Sequence, residues 1–408
     1  MAGVFRRKTV VVNGDPKQGA KSMKKILLRN SWQIVNIGDI AHPLGFLNLA
    51  KRFLPDCEVW LWPCVIDQAV RKLLLRNFPE LRLVESESAV REAFGQCDLF
   101  ISGSGAGMDA GGILNWRKQT RKPYGFFGVS ADGTWTEKRK DIYSGAAFIF
   151  CRDSLSEQFL KRQDLACPMI GFAPDSTFGM KLLKTPAADR YLKENGLVPE
   201  GFVCVIPRLR FTPSRYDDKG FYYDDPAREE ASLSRIEDDM AKLREVIAHI
   251  VTRYDLKVLI CPETDYQVPM GRRYLYDRLS PALREKVVLK REFWLTDEAE
   301  SVYAQAKLLI SMEMHSPIIF IGEHRPAILL RQAEDTWKGQ MWRDIGLQDW
   351  ILELNVSDAS LICRRADRIL QDYPASLEQA ALAGERAVAF DRKGMEYITR
   401  SLKKEISK

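Results

Sequence analysis

Residues 307–317 read KLLISMEMHSP, an apolar run that passes directly into polar residues and a helix start. The apolar run is typical of a buried strand, and Glu313 and His315 follow it two residues apart. Ser316 as the N-cap and Pro317 as the first helical residue predict a helix from that point. The order of strand, turn and helix indicates an open α/β sheet, in which ligands bind beyond the carboxyl ends of the strands.

The same alternation of short apolar strands with longer amphipathic stretches extends along the chain in both directions, and it predicts parallel sheets with helices on both faces. Around Ala231–Tyr254 apolar residues recur every three or four positions, which indicates a helix with one buried face. Helices are also predicted at Ile40–Phe53 and Gln68–Asn77. The predicted strands are Lys25–Arg29, Glu58–Trp62, Leu81–Val84, Asp98–Ser102, Tyr124–Val129, Ala147–Cys151, Phe202–Ile206, Lys257–Cys261, Lys307–Ser311, Ala327–Leu330 and Trp350–Leu354.

The alternation is interrupted near Lys181–Glu200, where Thr185-Pro186 and Val198-Pro199 break the pattern. We therefore expect an α/β fold with two Rossmann-like, doubly wound domains that face each other across a cleft. The expected divisions are an N-terminal extension (1–23), an N-terminal domain (24–185), a C-terminal domain (186–375) and a C-terminal helix (376–408).

Composition and charge exclude several classes of protein. The 408 residues are 46% hydrophobic and 28% charged, as in a soluble protein of two or three domains. No apolar run approaches the roughly 18 residues of a membrane helix, and Thr9–Val12 is too short for a secretion signal, so we expect a cytoplasmic protein. The net charge of +6 is spread along the chain, which argues against nucleic-acid binding but suits an anionic substrate.

The eight cysteines are scattered and form no CxxC pair, which indicates reduced thiols inside the fold. No tight Cys/His spacing predicts zinc, and no carboxylate cluster is dedicated to a metal. We therefore expect no metal and no cofactor.

Polar residues and glycines follow two strands of the first half. Gly38 permits a tight turn, and Asp39 is expected to cap the next helix; together with Asn36 they also fit a plain strand-to-helix turn. Gly103 and Ser104 belong to a loop with three glycines, whose amides could approach an anion. Tight packing explains that loop equally well.

Two arginines, Arg208 and Arg210, follow the first strand of the second half and are well placed to hold phosphate or carboxylate. His315 has the best site context of the four histidines and could act as a general acid or base. His249 falls within a predicted helix and is expected to be structural, whereas His42 stays open, as does His324.

Taken in order, these segments resemble the polysaccharide pyruvyl transferase family over roughly residues 24–350. The matching segments are Asn36-x-Gly38-Asp39, Asp98–Gly105, Arg152-Asp153-Ser154, Pro174-Asp175-Ser176, Arg208, His315, Arg325-Pro326-Ala327 and Lys338.

The resemblance implies a GT-B-like fold and transfer of an enolpyruvyl-derived group from phosphoenolpyruvate to two hydroxyls of a sugar, forming a cyclic ketal. Such proteins act in exopolysaccharide and cell-envelope glycan synthesis. The partners are then an anionic small-molecule donor and a saccharide acceptor, and a peripheral association with a membrane-bound glycan precursor stays open. The oligomeric state is undetermined.

On this chain the resemblance assigns the acid or base role to His315. The donor side would consist of Arg208, Arg210, Lys338 and the amides that follow Ser316. The acceptor side would consist of Asn36, Asp39, Gly103 and Ser104.

One departure concerns Glu313, because the family usually has arginine at that position. A reversed charge at about 4 Å is worth roughly 4 kcal/mol at an effective dielectric near 20. Another arginine could replace the missing charge (Arg210, Arg325 or Arg331), Glu313 could be a base for a different reaction, or activity could be lost. The alternatives to pyruvyl transfer are a GT-B glycosyltransferase that uses a nucleotide sugar and an inactive saccharide-binding relative.

Overall fold

A computed structural model describes residues 23–105, 108–131, 137–217, 219–335 and 337–404, with the side chains of residues 137, 138, 338 and 404 left out. The predicted extension at 1–23 therefore lies, apart from Met23, outside the described residues. In the first half, seven parallel strands form one sheet in the order β3-β2-β1-β4-β5-β6-β7. These strands are β1 Lys24–Asn30, β2 Cys57–Pro63, β3 Arg82–Leu83, β4 Leu99–Ser102, β5 Tyr124–Val129, β6 Phe148–Cys151 and β7 Ile170–Phe172.

A second parallel sheet of six strands has the order β12-β11-β8-β13-β14-β15, and β9 and β10 form a separate antiparallel hairpin. The strands are β8 Phe202–Ile206, β9 Arg215–Tyr216, β10 Phe221–Tyr222, β11 Lys257–Ile260, β12 Val287–Leu289, β13 Leu308–Ser311, β14 Ala327–Arg331 and β15 Ile351–Glu353.

Helices cover both faces of each sheet. They are α1 Ile37–Phe53, α2 Gln68–Asn77, α3 Glu87–Gln96, α4 Ala110–Thr120, α5 Glu137–Ser144, α6 Ser154–Lys161, α7 Pro186–Glu194, α8 Pro226–Leu233, α9 Ile236–Tyr254, α10 Gln267–Met270, α11 Pro281–Arg284, α12 Thr296–Tyr303, α13 His315–Gly322, α14 Gln340–Asp344, α15 Ala359–Gln371 and α16 Tyr373–Lys404. Short 3₁₀ turns occur at Ser176–Gly179, Tyr276–Arg278, Trp337–Gly339 and Gln348–Trp350, and a π-helical segment at Gly271–Leu275.

The central strands explain why the chain folds this way. In β8, which reads FVCVI, every residue is buried, as expected for a parallel strand covered on both faces. The same holds for β4, β5 and β13. The carboxyl ends of the parallel strands then share one edge in each sheet, and that edge receives the polar residues that follow them.

Each predicted strand is present with its ends within one residue of the prediction. Four strands were missed: β7 and β12, which have only three residues each, and β9 and β10 of the hairpin, which have two each. The prediction of a single helix over Ala231–Tyr254 is wrong: α8 ends at Leu233 and α9 begins at Ile236. The first helix starts earlier than predicted, at Ile37.

The C-terminal helix α16 crosses back to the first sheet. Phe390 packs on Phe172 of β7 with ring centroids 4.8 Å apart, and Tyr397 packs on Phe148 of β6 at 6.2 Å. Its start at Tyr373 is close to the predicted boundary at 376. The predicted domain division at 185 stays a prediction, since the first sheet ends at Phe172 and the second begins at Phe202.

The two halves are joined at a seam, defined here as Val35–Ile37 against Glu263–Asp265. The amide of Ile37 donates to the Glu263 carbonyl at 2.9 Å, and the amide of Asp265 donates to the Val35 carbonyl at 3.0 Å. The Asn36 side chain donates to the Thr264 hydroxyl at 2.9 Å. Residues that follow β1 and residues that follow β11 are therefore held in contact.

The eight cysteines form no disulfide, in line with the predicted reduced thiols. Within the described ranges, no helix combines the length and the apolarity needed to cross a bilayer.

Candidate functional site

Two imidazoles meet beside the seam, one from each half of the molecule. His42 lies in α1 and His315 is the first residue of α13. Their Nε2 atoms are 3.2 Å apart, and the rings are 5.0 Å apart at an angle of 73°. The close approach depends on Gly38, because a Cβ at that position would overlap the His315 ring.

The position of α1 is set by its own N-terminus. The Asn36 side chain is the N-cap and accepts from the amides of Gly38 and Asp39. The prediction that Asp39 caps this helix is therefore wrong, since Asp39 lies in the first turn. There its carboxylate accepts from Gln33 and faces His42.

A buried carboxylate, Glu263, lies behind His315. Its Oε1 is 2.9 Å from Nδ1 of His315, and its Oε2 accepts from the amide of Ser316 at 2.6 Å. The amides at the start of α13 were expected to bind a substrate anion, but the Ser316 amide already binds the Glu263 carboxylate. The N-cap prediction for Ser316 is also wrong, because α13 begins at His315 with Met314 as the N-cap.

Two further carboxylates face His42. Oδ2 of Asp175 is 3.1 Å from Nε2 of His42, and Oδ1 of Asp39 is 3.6 Å from Nδ1. Asp175 also accepts from Arg152 at 3.1 Å. Because Asp175 is fully buried, its charge must be balanced by these neighbours rather than by water.

The ionisation of these groups follows from burial and pairing. Burial opposes the charge of Asp175, but His42, Arg152 and His315 outweigh it and hold its pKa well below the usual range. Burial likewise opposes ionisation of Glu263, and the bond to His315 outweighs it and lowers the pKa. Burial lowers the pKa of His315, but Glu263, Asp175 and Asp39 together raise it above its ordinary value.

We call this set the imidazole cluster: Asp39, His42, Arg152, Asp175, Glu263 and His315. Among the described residues, His42, Asp175 and His315 also bring three potential ligand atoms within 4.8 Å of one another. The cluster can hold or move a proton, and it carries donor atoms that a metal ion could use.

Arg208 follows β8, and its side chain is 15% exposed. Its guanidinium contacts Asp335 and lies 3.4 Å from Glu313 Oε1. Burial disfavours the charged form, but Glu313 and Asp335 outweigh it and raise the pKa of Arg208 above its usual range. The arginine therefore stays charged while two carboxylates oppose its charge.

Gln267 connects Glu313, the ion-pair partner of Arg208, to the imidazole cluster. Its side-chain nitrogen donates to Glu313 Oε1 at 2.7 Å, and its side-chain oxygen accepts from the amide of Glu263 at 2.7 Å. Arg208 and His315, predicted to share one site, are thus linked by an ion pair to Glu313 followed by hydrogen bonds through Gln267 and Glu263.

The other candidate arginines do not belong to this series of contacts. Arg210 is 4% exposed and is held by Asp239, Glu334 and Asn355. The two remaining candidates for the missing family charge also have partners elsewhere: Arg325 binds Glu200 and Tyr373, and Arg331 binds Glu353 and the Asp335 carbonyl. The side chain of Lys338 lies outside the described residues, so its donor role stays a prediction.

The remaining predicted residues lie close to the cluster. The Ser104 hydroxyl bonds that of Ser176 at 2.7 Å, which in turn donates to the His42 carbonyl at 3.0 Å. Gly103 packs against Asn30, where a Cβ would overlap the side chain. Gly103 and Ser104 thus support the turn beneath His42, and their roles on the acceptor side stay predictions, as does that of Asn36.

Glu263 was missed from the sequence. It comes directly after β11, at the same edge as Arg208 and His315, so the strand-end rule could have identified it. His42 was left open because it falls within a helix, where periodicity does not separate a site residue from a core residue.

The sequence profile of the polysaccharide pyruvyl transferases matches residues 36–333. This segment begins at Asn36, the N-cap of α1, and contains all members of the imidazole cluster and Arg208. No match was found among curated protein sequences.

Several solved structures share the fold at low identity. A putative UDP-N-acetylglucosamine 2-epimerase from Listeria monocytogenes is 12% identical, with 95% of this chain and 98% of that chain covered and a TM-score of 0.58. HepE from Anabaena, solved with UDP and glucose, is 12% identical, with 93% and 100% covered and a TM-score of 0.55.

The UDP-GlcNAc 2-epimerase from Neisseria meningitidis, bound to UDP-GlcNAc, is 10% identical, with 94% and 100% covered and a TM-score of 0.57. At such identities the likeness shows the fold alone, and it confirms the predicted GT-B-like arrangement of two α/β domains. The match over residues 36–333 shows that the chain belongs to the polysaccharide pyruvyl transferase family and is a transferase.

Proposed function

We propose that this protein transfers a pyruvyl group from phosphoenolpyruvate to two hydroxyls of a saccharide. The observation that carries the proposal is the series of ion-pair and hydrogen-bond contacts from Arg208 through Glu313 and Gln267 to Glu263 and His315. It puts a permanent cation and an acid/base group in one cleft, and the donor requires both.

The donor's phosphate and carboxylate would bind at Arg208, assisted by Lys338, because the Ser316 amide is already bound to Glu263. Arg210, the other predicted donor residue, would support this side through its contact with Glu334. Glu313 and Asp335 already form ion pairs with Arg208. Donor binding would therefore replace at least one of these ion pairs with a pair between Arg208 and the donor anion. We expect this exchange to weaken affinity relative to an unpaired arginine.

The proton would be delivered from the Nε2 edge of His315 to the methylene carbon of phosphoenolpyruvate. C2 then becomes electrophilic, a sugar hydroxyl adds to it, and a base takes the hydroxyl proton. A second hydroxyl displaces phosphate from C2, so that the products are the cyclic ketal and inorganic phosphate.

Glu313 is the proposed base, because its carboxylate is 13% exposed and borders the same cleft. The acceptor would approach from the first domain, past Asn36 and Asp39 and the turn supported by Gly103 and Ser104. We place the reaction in the cytoplasm, in the synthesis of an exopolysaccharide or cell-envelope glycan, with a membrane-bound precursor as a suitable acceptor.

Thermal-shift titration tests the donor. We expect phosphoenolpyruvate to raise the melting temperature in a concentration-dependent way, and Arg208→Ala to abolish the shift. Release of inorganic phosphate in the presence of saccharide acceptors would then report turnover.

The nucleotide-sugar alternative predicts the opposite pattern. Stabilisation by a uridine or guanosine diphosphate, with none by phosphoenolpyruvate, would overturn the proposal. A chain that binds saccharide but neither donor would indicate an inactive relative.

A further inference from the structure

The imidazole cluster carries an unbalanced charge when its imidazoles are neutral. It contains three carboxylates, Asp39, Asp175 and Glu263, but one guanidinium, that of Arg152. If the three carboxylates are ionised, the set carries three negative charges and one positive charge, so that its net charge is −2. Asp175 and Glu263 are fully buried, so water does not screen this charge, and either protons on the imidazoles or a bound cation balance it.

The orientation of the two rings shows where such a cation would lie. Glu263 is at hydrogen-bond distance from Nδ1 of His315, 2.9 Å, and Asp39 lies behind Nδ1 of His42 at 3.6 Å. Glu263 on Nδ1 of His315 places the proton of that ring there and leaves a lone pair on its Nε2, as in metal-bound histidines. The two Nε2 atoms are 3.2 Å apart, so the two rings can share either a proton or a metal ion between them.

A third donor completes the set. Asp175 Oδ2 lies 3.1 Å from Nε2 of His42. For ligands bound at about 2.0–2.1 Å in a tetrahedral geometry, neighbouring ligand atoms are about 3.3 Å apart. The two observed separations, 3.2 and 3.1 Å, agree with that spacing. Asp175 Oδ2 also accepts from Arg152, which leaves its second lone pair for an ion.

We propose that His42 Nε2, His315 Nε2 and Asp175 Oδ2 bind one divalent transition-metal ion, best matched by Zn²⁺, with water as the fourth ligand. Two imidazole nitrogens, one carboxylate and one open position form the ligand set of catalytic zinc centres. The ion's charge of +2 would balance the cluster, and Glu263 orients the His315 imidazole from behind.

This inference rests on the same residues as the proposed function but not on the reaction itself. A proton on the Nε2 atoms and an ion bound to them exclude each other. With the ion bound, its water would replace the His315 imidazole as the source of the transferable proton. The reaction class would be unchanged.

The test measures metal directly, without activity. The full chain is stripped with a chelator and incubated with micromolar Zn²⁺ or Co²⁺. After gel filtration, metal content is determined by mass spectrometry, and four-coordinate Co²⁺ is detected by its visible absorption. We expect about one ion per chain, loss of the bound ion in His42→Ala, and roughly 10–100-fold weaker binding in Glu263→Gln.

His249→Ala serves as the matched control, because His249 pairs with Asp367 in the second domain, away from the cluster; it should keep the full metal content. The eight thiols could bind zinc on their own, and retention of the ion by His42→Ala and Asp175→Asn would overturn the proposal. Wild-type protein that retains less than about a tenth of an ion per chain would also overturn it, in which case two protons balance the cluster. Phosphoenolpyruvate turnover by that metal-free protein would leave the proposed function standing.

Discussion

The Nε2 atoms of His42 and His315 lie 3.2 Å apart although 273 residues separate them in the chain. One ring belongs to the first domain and the other to the second, so any change in the position of the domains changes this distance. The contact therefore makes the chemistry of the cleft depend on how the two domains are joined.

Replacement of His315 tests the acid/base role. We expect His315→Ala to fold, because the Ser316 amide still binds Glu263, and to lose about 10²–10⁴-fold in turnover, the usual contribution of a general acid or base. Phosphate release and circular dichroism are the measurements. His249→Ala removes an imidazole outside the cleft and should keep turnover within about twofold; full activity in His315→Ala would refute the assignment.

Glu313 is tested by removing its charge alone. Glu313→Gln can keep the bond to Gln267 while it no longer neutralises Arg208. We expect tighter binding of phosphoenolpyruvate, by roughly three- to tenfold, together with a turnover loss of at least about 100-fold. Isothermal titration and steady-state kinetics separate the two effects.

A different result would change the assignment of Glu313. Unchanged turnover in Glu313→Gln would show that this carboxylate is not the base. Glu313→Arg, which restores the usual family residue, then asks whether the donor site has diverged: a gain in phosphoenolpyruvate affinity is expected for a diverged site.

Gly38 tests the contact between the domains. A methyl group at this position overlaps the His315 ring, so Gly38→Ala should push α1 away from α13. We expect a loss of about 1–3 kcal/mol in the free energy of unfolding, as for other overpacked sites, and a marked drop in turnover. Urea denaturation and phosphate release measure the two quantities.

Gly95 provides the matched control for that substitution. It also lies in a helix of the first domain, but a Cβ there has no atom within 4 Å. Gly95→Ala should therefore stabilise the protein by roughly 0.5–1 kcal/mol through helix propensity and leave turnover intact. Equal effects of the two substitutions would contradict the steric account of Gly38.

Glu300 predicts a pH dependence of stability away from the imidazole cluster. Burial, with Glu323 nearby, raises its pKa from 4.5 to about 8. The native state therefore binds more protons than the unfolded state between these values, and the contribution to stability is complete below pH 4.5 and is lost as the pH rises towards 8.

Glu300→Gln removes this dependence and can retain the bond from the Leu182 amide, 3.1 Å in the native protein. We expect the difference in the free energy of unfolding between Glu300→Gln and the native chain to change in favour of Glu300→Gln as the pH rises from 5 to 9. The change should be roughly 2–4 kcal/mol, at about 1.4 kcal/mol per pKa unit. Chemical denaturation at several pH values measures it. A constant difference across this range would show that Glu300 is ionised in the native state.

Long apolar strands could be predicted with ends accurate to one residue, because parallel strands buried on both faces show as uninterrupted apolar runs. Short edge strands such as β7 could not, since three residues carry too little pattern. Arg208 and His315 were predicted because each follows a central strand directly. The N-cap predicted at Ser316 was wrong, because the amides there bind Glu263, a residue 53 positions earlier in the chain.

The expectation of no metal shows the same limit. It rested on the absence of closely spaced ligands, whereas the proposed ligands come from α1, the turn after β7 and the start of α13. Spacing rules detect ligands on one local segment; they do not detect ligands that only the packing of two domains brings together.

The sequence by itself determined that this is a two-domain α/β transferase of a particular family, because apolar periodicity and strand-end motifs are local properties of the chain. Only the tertiary structure decided which of those motifs share a site and what charge surrounds them. The physical reason is that burial and pairing of His42, Asp175, Glu263 and His315 arise from contacts between segments more than 50 residues apart, and such contacts exist only after both sheets have formed.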